Sequence, residues 1–156
     1  MRGFTLLEVL VYIGLIAVMF SGMLADLFSI SSSINRNAAR AYLAEEGDFI
    51  IQKVAYEISL SHVAYITNSN SALTLYPVSG ITTTIEELAG SAVISRGNDA
   101  FVPFSSGSVT VSDLQFAAPV KQVVGGVISF SFTLTARSPD AEPVSEDFYG
   151  ESFLFP

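Results

Sequence analysis

The chain has 156 residues and no cysteine, so it carries no disulfide and no thiolate metal ligand. A domain exposed outside the cell would have to rely on its apolar core alone. Basic residues are scarce as well. Arg2, Arg36, Arg40, Lys53, Arg96, Lys121 and Arg137 are scattered along the chain, and the net charge is −8. Phosphate backbones are held by clustered Lys and Arg, so no nucleic-acid partner is expected. His62 is the single histidine. A Ser-His-Asp triad would have to be built around it, and a zinc site lacks the further His or Cys it needs. A packed structural histidine is the simpler interpretation, and neither enzymatic activity nor a cofactor is expected. Proline is absent before Pro77, so nothing forces a break in a helix over residues 4–67.

Apolar residues, by contrast, are abundant. Half the chain is hydrophobic and only 14% is charged, a low charged fraction for a fully soluble protein. Much of the excess lies in the first thirty residues. Residues 9–25 are seventeen consecutive uncharged, mostly apolar positions between Glu8 and Asp26. As a helix they span roughly 26 Å, slightly less than a hydrocarbon core of about 30 Å. Including residues 4–7 gives enough length to cross, but places Glu8 within the apolar stretch. Arg2 is the one charge before it, and a positive flank favours keeping that end in the cytoplasm. A secretory signal would have its cleavage site near residues 21–25, yet helical periodicity continues beyond them. A plain signal anchor gives no reason for a carboxylate at Glu8, because ionisable groups inside membrane segments are costly and are functional candidates by default. A buried core helix is the third alternative, although this stretch is apolar all round.

The run Gly3-Phe4-Thr5-Leu6-Leu7-Glu8-Val9-Leu10 resembles the class III signal of type IV prepilins and pseudopilins. The resemblance implies a membrane-anchored structural subunit processed by prepilin peptidase and then packed into a filament. The Gly3–Phe4 bond would be cut, Phe4 would become the N-methylated first residue, and Glu8 would be the fifth mature residue. The implied leader, Met1-Arg2-Gly3, has one basic residue where the family usually has several. Cleavage would leave a positive amine at Phe4, one helical turn from Glu8. In a helical array, Glu8 of one subunit could neutralise that amine on a neighbour. At about 4 Å in a poorly solvated setting such a pair is worth several kcal/mol. Desolvation opposes the gain, so the pair sets register more than it adds stability. Ala17, Ser21 and Ala25 recur every four residues, a small-xxx-small face on which helices approach closely; ordinary membrane-helix composition would give the same spacing.

Beyond Asp26 the pattern becomes amphipathic. Ile51, Val54, Ala55, Ile58 and His62 fall at steps of three and four, one face of a helix. Lys53 and Glu57 form an i,i+4 pair, and Gly14, Gly22 and Gly47 mark close-packing or flexible points. Asn68-Ser69-Asn70-Ser71 is expected to stop the helix. Period-two alternation follows over residues 72–76, 109–111 and 128–135, with further strand candidates at 81–88 and 92–94. Glycines at 80, 90, 97, 107, 125 and 126 separate these runs. A lone sheet could not bury its apolar face, so the helix must cover it. The expected class is α+β: a pilin fold whose long membrane-spanning helix packs its outer half on a four- to five-stranded antiparallel sheet. The expected divisions are a leader at 1–3, a transmembrane and filament-core helix at 4–28, an outer helix at 29–67 and an extracytoplasmic sheet domain at 68–156.

Residues 101–137, with Phe104-Ser105-Ser106-Gly107 ahead of Val109-Thr110-Val111 and a long strand after Gly125-Gly126, are similar to minor pilins and J-type pseudopilins. That favours a minor subunit. The acids Asp140, Glu142, Glu146, Asp147 and Glu151 could hold calcium, as some major pseudopilins do, but no fixed ligand spacing is present and a solvated tail is the alternative. Glu45, Glu46 and Asp48 form a second acidic patch, solvent-facing or used in docking. The aromatic tail over residues 148–156 either closes the core as a last strand or presents a subunit contact. The partners implied are prepilin peptidase, other pilin subunits met through the N-terminal helix, the inner-membrane assembly platform, and membrane lipid before assembly. The protein would be single-pass in the inner membrane with its N-terminus inside, then part of a periplasmic or extracellular filament. A pilus, a secretion pseudopilus and a DNA-uptake filament share this anchor, and a membrane-anchored adhesion module is the alternative function.

Overall fold

Among the described residues, one 54-residue helix, α1 (Leu6–Ser59), opens the fold and nine antiparallel strands follow. The computed structural model describes residues 5–78, 80–136 and 143–155. Two compact units divide the chain, Met1–Ala38 and Ala39–Pro156.

In the first unit α1 is long and apolar enough to cross a membrane, and none of its most apolar window is buried within the chain. Residues 6–28 alone make about 34 Å of helix, more than a hydrocarbon core requires. The helix starts where local chemistry starts it. Thr5 precedes the first turn, and the Glu8 amide donates to the Thr5 carbonyl at 3.0 Å and to Thr5 Oγ1 at 3.4 Å. That is the side-chain arrangement of an N-cap.

In the second unit the remaining turns of α1 bury Leu43, Gly47, Ile50, Val54, Glu57 and Ile58. These positions step by four and three, so they form one stripe. The stripe is centred nearer Ile50 than Ile51, because Gly47 belongs to it and Ala55 sits half-buried at its margin; His62 lies beyond the helix, in β1. The first sheet has the strand order β5-β4-β3-β2-β1-β7, formed by β1 (Ser61–Thr67), β2 (Ala72–Pro77), β3 (Thr83–Leu88), β4 (Ser91–Arg96), β5 (Val102–Pro103) and β7 (Gln122–Val124). The second has the order β6-β8-β9, formed by β6 (Val109–Ala117), β8 (Gly126–Ala136) and β9 (Val144–Leu154). Two sheets, of six and three strands, therefore replace the expected single sheet of four or five; the α+β class stands. One apolar cluster joins all three layers. It includes Ile50 and Val54 from α1, Leu73 and Ile85 from the first sheet, and Phe116 and Phe132 from the second.

The helix stops at Ser59 and not at Thr67. Residues 61–67 form β1, paired with β2 from Ser61↔Pro77 to Thr67↔Ala72. Val63, Tyr65, Ile66 and Thr67 are β-branched or aromatic, types that fit a half-buried sheet better than a helix. Ser61 ends the helix by donating its buried hydroxyl to the Glu57 carbonyl at 3.0 Å. Asn68, Ser69 and Asn70 all have positive φ and make the β1–β2 turn, so they do not terminate α1. Asparagine tolerates that conformation better than most residues. In β6 the pairing register shifts between Ser112 and Gln115, where Asp113 also has positive φ, the mark of a β-bulge.

Candidate functional site

Among the described residues, nothing covers the apolar half of α1. Leu6, Leu10, Ile13, Ile16, Phe20 and Leu24 are all more than half exposed, and water is a poor solvent for such a surface. Ala17, Ser21 and Ala25 lie along one side of it, and Gly14 falls three residues before Ala17 on the same side. A Cβ at Gly14 or at Gly22 would meet nothing within 4 Å, so neither glycine is required by packing inside this chain. Ser21 donates its hydroxyl to the Val18 carbonyl at 2.8 Å, which satisfies the one polar group on the stripe without water.

Glu8 lies in the first turn of α1. Its place there has a local cause as well as the one implied by the resemblance. Thr5-Leu6-Leu7-Glu8 has the T-x-x-E spacing of a capping box, and a carboxylate in a first turn complements the positive end of the helix. The sequence alone carries this signal. Gly3 and Phe4, the expected cleavage pair, lie outside the described residues.

Polar side-chain contacts tie the later turns of α1 to the strands and loops of the second unit, among them the Ser152 hydroxyl of β9 donating to the Ala55 carbonyl at 3.0 Å. Glu57 is only 5% exposed; its Oε1 accepts from Lys53 Nζ at 3.0 Å and from an Arg96 guanidinium nitrogen on β4 at 2.7 Å. The i,i+4 spacing revealed Lys53, but Arg96 is 39 residues away and left no local signal. Glu46 Oε1 accepts from the Ser106 amide at 2.6 Å, and the hydroxyls of Tyr42 and Ser106 are 2.6 Å apart. Part of the acidic patch on the helix therefore secures the serine-rich loop of its own chain.

His62 Nδ1 lies 3.2 Å from the Phe155 carbonyl oxygen, and the two rings are in contact at 5.5 Å, a structural arrangement. Of the calcium candidates, Asp140 and Glu142 lie outside the described residues. Glu146 and Asp147 are successive residues of β9, so their side chains leave opposite faces. The Asp147 carboxylate already accepts from Thr133 Oγ1 at 2.7 Å. Among the described residues no three His, Cys, Asp or Glu side chains gather as a metal site would need.

The aromatic tail divides between its two expected roles. Phe148 lies over Gly47 of α1 and stacks on Phe132 with centroids 5.4 Å apart, while Tyr149 and Phe153 face outward. Comparison with protein-family models, with curated proteins and with solved structures finds no match to this chain.

Proposed function

We propose that this chain is a structural subunit, of the minor kind, of a type IV pilus or a related filament, with a pilin fold and no enzymatic activity. One observation carries the proposal: the Gly3-to-Leu10 run leads directly into a helix whose apolar length is left exposed among the described residues. Such a helix needs lipid first and neighbouring helices afterwards, which is the sequence of environments a prepilin meets. In this scheme prepilin peptidase cuts between Gly3 and Phe4 and methylates Phe4. The inner-membrane platform then extracts the helix into a bundle with other subunits. Gly14, Ala17, Ser21 and Ala25 offer the close face of that bundle, and Glu8 meets the Phe4 amine of a neighbour.

Epitope-tagged variants, followed in membrane and sheared-filament fractions, test the scheme. Gly3→Ala is expected to remain unprocessed in the membrane. Glu8→Ala is expected to be processed but to fall at least about tenfold in the filament fraction, the loss of a pair worth ~1.4 kcal/mol or more. Filament entry of the uncleaved Gly3→Ala chain at the wild-type level would contradict the proposal. A second function, a membrane-anchored adhesion module, is favoured by one feature alone, the exposed rings on the outer face of β9.

A further inference from the structure

Beyond its most apolar length, α1 passes through nine residues that suit a helix poorly. Residues 29–37 carry serine or asparagine at six positions, namely Ser29, Ser31, Ser32, Ser33, Asn35 and Asn37. Such side chains compete for the backbone groups that a helix uses. One instance is formed here: Ser32 donates its hydroxyl to the Ser29 carbonyl at 2.9 Å. Each of the six lowers the helical weight roughly twofold relative to alanine, and together they multiply to roughly sixtyfold. Ile30 and Ile34 are β-branched and lower it further. Packing does not compensate, since every residue from 29 to 37 is exposed. The next nine positions differ in kind. Residues 38–46 include four alanines and neither serine nor asparagine, and Leu43 among them is fully buried.

We propose that residues 29–37 are an extensible joint within α1, a length that opens locally while the helix before and after it stays closed. A break inside a helix carries the nucleation penalty, about 10⁻³, which keeps most helix interiors shut. The roughly sixtyfold bias recovers much of that penalty at 29–37, and no such bias exists over 38–46. In the apolar length before the joint, opening would leave backbone N–H and C=O groups in lipid without partners. At 29–37 water accepts them. Nine residues that span about 14 Å as a helix reach about 30 Å when extended. The chain then gains about 16 Å while the apolar cluster, which begins at Leu43, is left intact. The position of the joint outside the lipid rests on the membrane reading of α1. The opening itself rests only on composition and exposure.

The test is hydrogen exchange of the full chain in lipid nanodiscs, read by mass spectrometry, with each rate divided by its value in an unstructured chain. Amides over 33–38, whose helical hydrogen bonds are lost on opening, are expected to exchange at least about tenfold faster than those over 47–58. A variant combining Ser31→Ala, Ser32→Ala, Ser33→Ala and Asn35→Ala should slow the 33–38 amides about tenfold and leave those over 47–58 unchanged. Circular dichroism confirms that the variant is folded. Equal protection of 33–38 and 47–58 in the wild type would overturn the proposal. So would the wild-type rate over 33–38 in the folded variant, which would assign the opening to some other cause. A chain that does not enter nanodiscs contradicts the membrane reading and not the joint, and the same comparison in detergent micelles then decides between the two outcomes.

Discussion

At Gly47 two tendencies oppose each other. Glycine inside a helix costs about 1 kcal/mol relative to alanine, so Gly47→Ala should stabilise α1 if the site were open. It is not open: a Cβ there would collide with the Phe148 ring. Overpacking typically costs about 1–3 kcal/mol and Phe148 is itself held against Phe132, so the clash wins. Gly47→Ala is expected to lower stability by about 1–2 kcal/mol in urea unfolding of the full chain. The same change in a Phe148→Ala background should be neutral or favourable, which a double-mutant cycle reads as coupling. A stabilising Gly47→Ala in the wild-type background would show that the ring moves aside freely. In the sequence Gly47 stands only as a point of close packing or flexibility. Local pattern does not choose between them, because the partner ring is a hundred residues away.

Elements differ in how far the sequence revealed them. β2, β8 and the first residues of β6 show in the sequence by alternation, and β3 and β4 less plainly, as runs between glycines. β1 does not, because no glycine or proline separates it from α1 and His62 continues the helical spacing by coincidence. Its strand character comes from pairing with β2 and β7, a tertiary preference that overrides local periodicity. β9 was half visible: its aromatics suggested a last strand, while Glu146, Asp147 and Glu151 suggested a solvated tail. Both are true, because alternate residues of β9 face opposite ways. Among the loops, the serine-rich segment before β6 owes its position to Glu46 and Tyr42. Glu46→Ala removes the acceptor of the Ser106 amide, a charge-assisted bond worth about 1.5–3 kcal/mol. Hydrogen exchange at Ser106 is expected to speed up about tenfold or more, while amides of β8 stay protected, since the opening is local. Equal acceleration in β8 would mean that the loop is part of the global core.

For the molecule as a whole, the two units differ in what they bury. The second buries its own apolar surface; among the described residues the first buries almost none, and its helix is the part the proposal assigns to membrane and filament. Placing a charge in the middle of that segment tests the membrane half of this account. Ile16→Asp should cost insertion about 2.5–3.5 kcal/mol and shift the protein from the alkali-resistant membrane pellet to the soluble or aggregated fraction. Asp26→Asn, at the segment's outer end, should leave it in the pellet. Membrane retention of Ile16→Asp at the wild-type level would argue that anchoring lies elsewhere.

The small stripe, Glu8 and the apolar length were all legible in the sequence. The capping of the Glu8 amide by Thr5 adds a local reason for an acid in that first turn, beside the assembly role proposed for its side chain. The central claim is that the helix is retained after a cut ahead of it. Mass spectrometry of the N-terminal peptide, taken from membranes of cells that express prepilin peptidase, tests this most directly. The account predicts a peptide that begins at Phe4, carries one methyl group on its amine and continues into Thr5 and Leu6. A peptide that begins between residues 21 and 26, with the apolar helix removed, would contradict it.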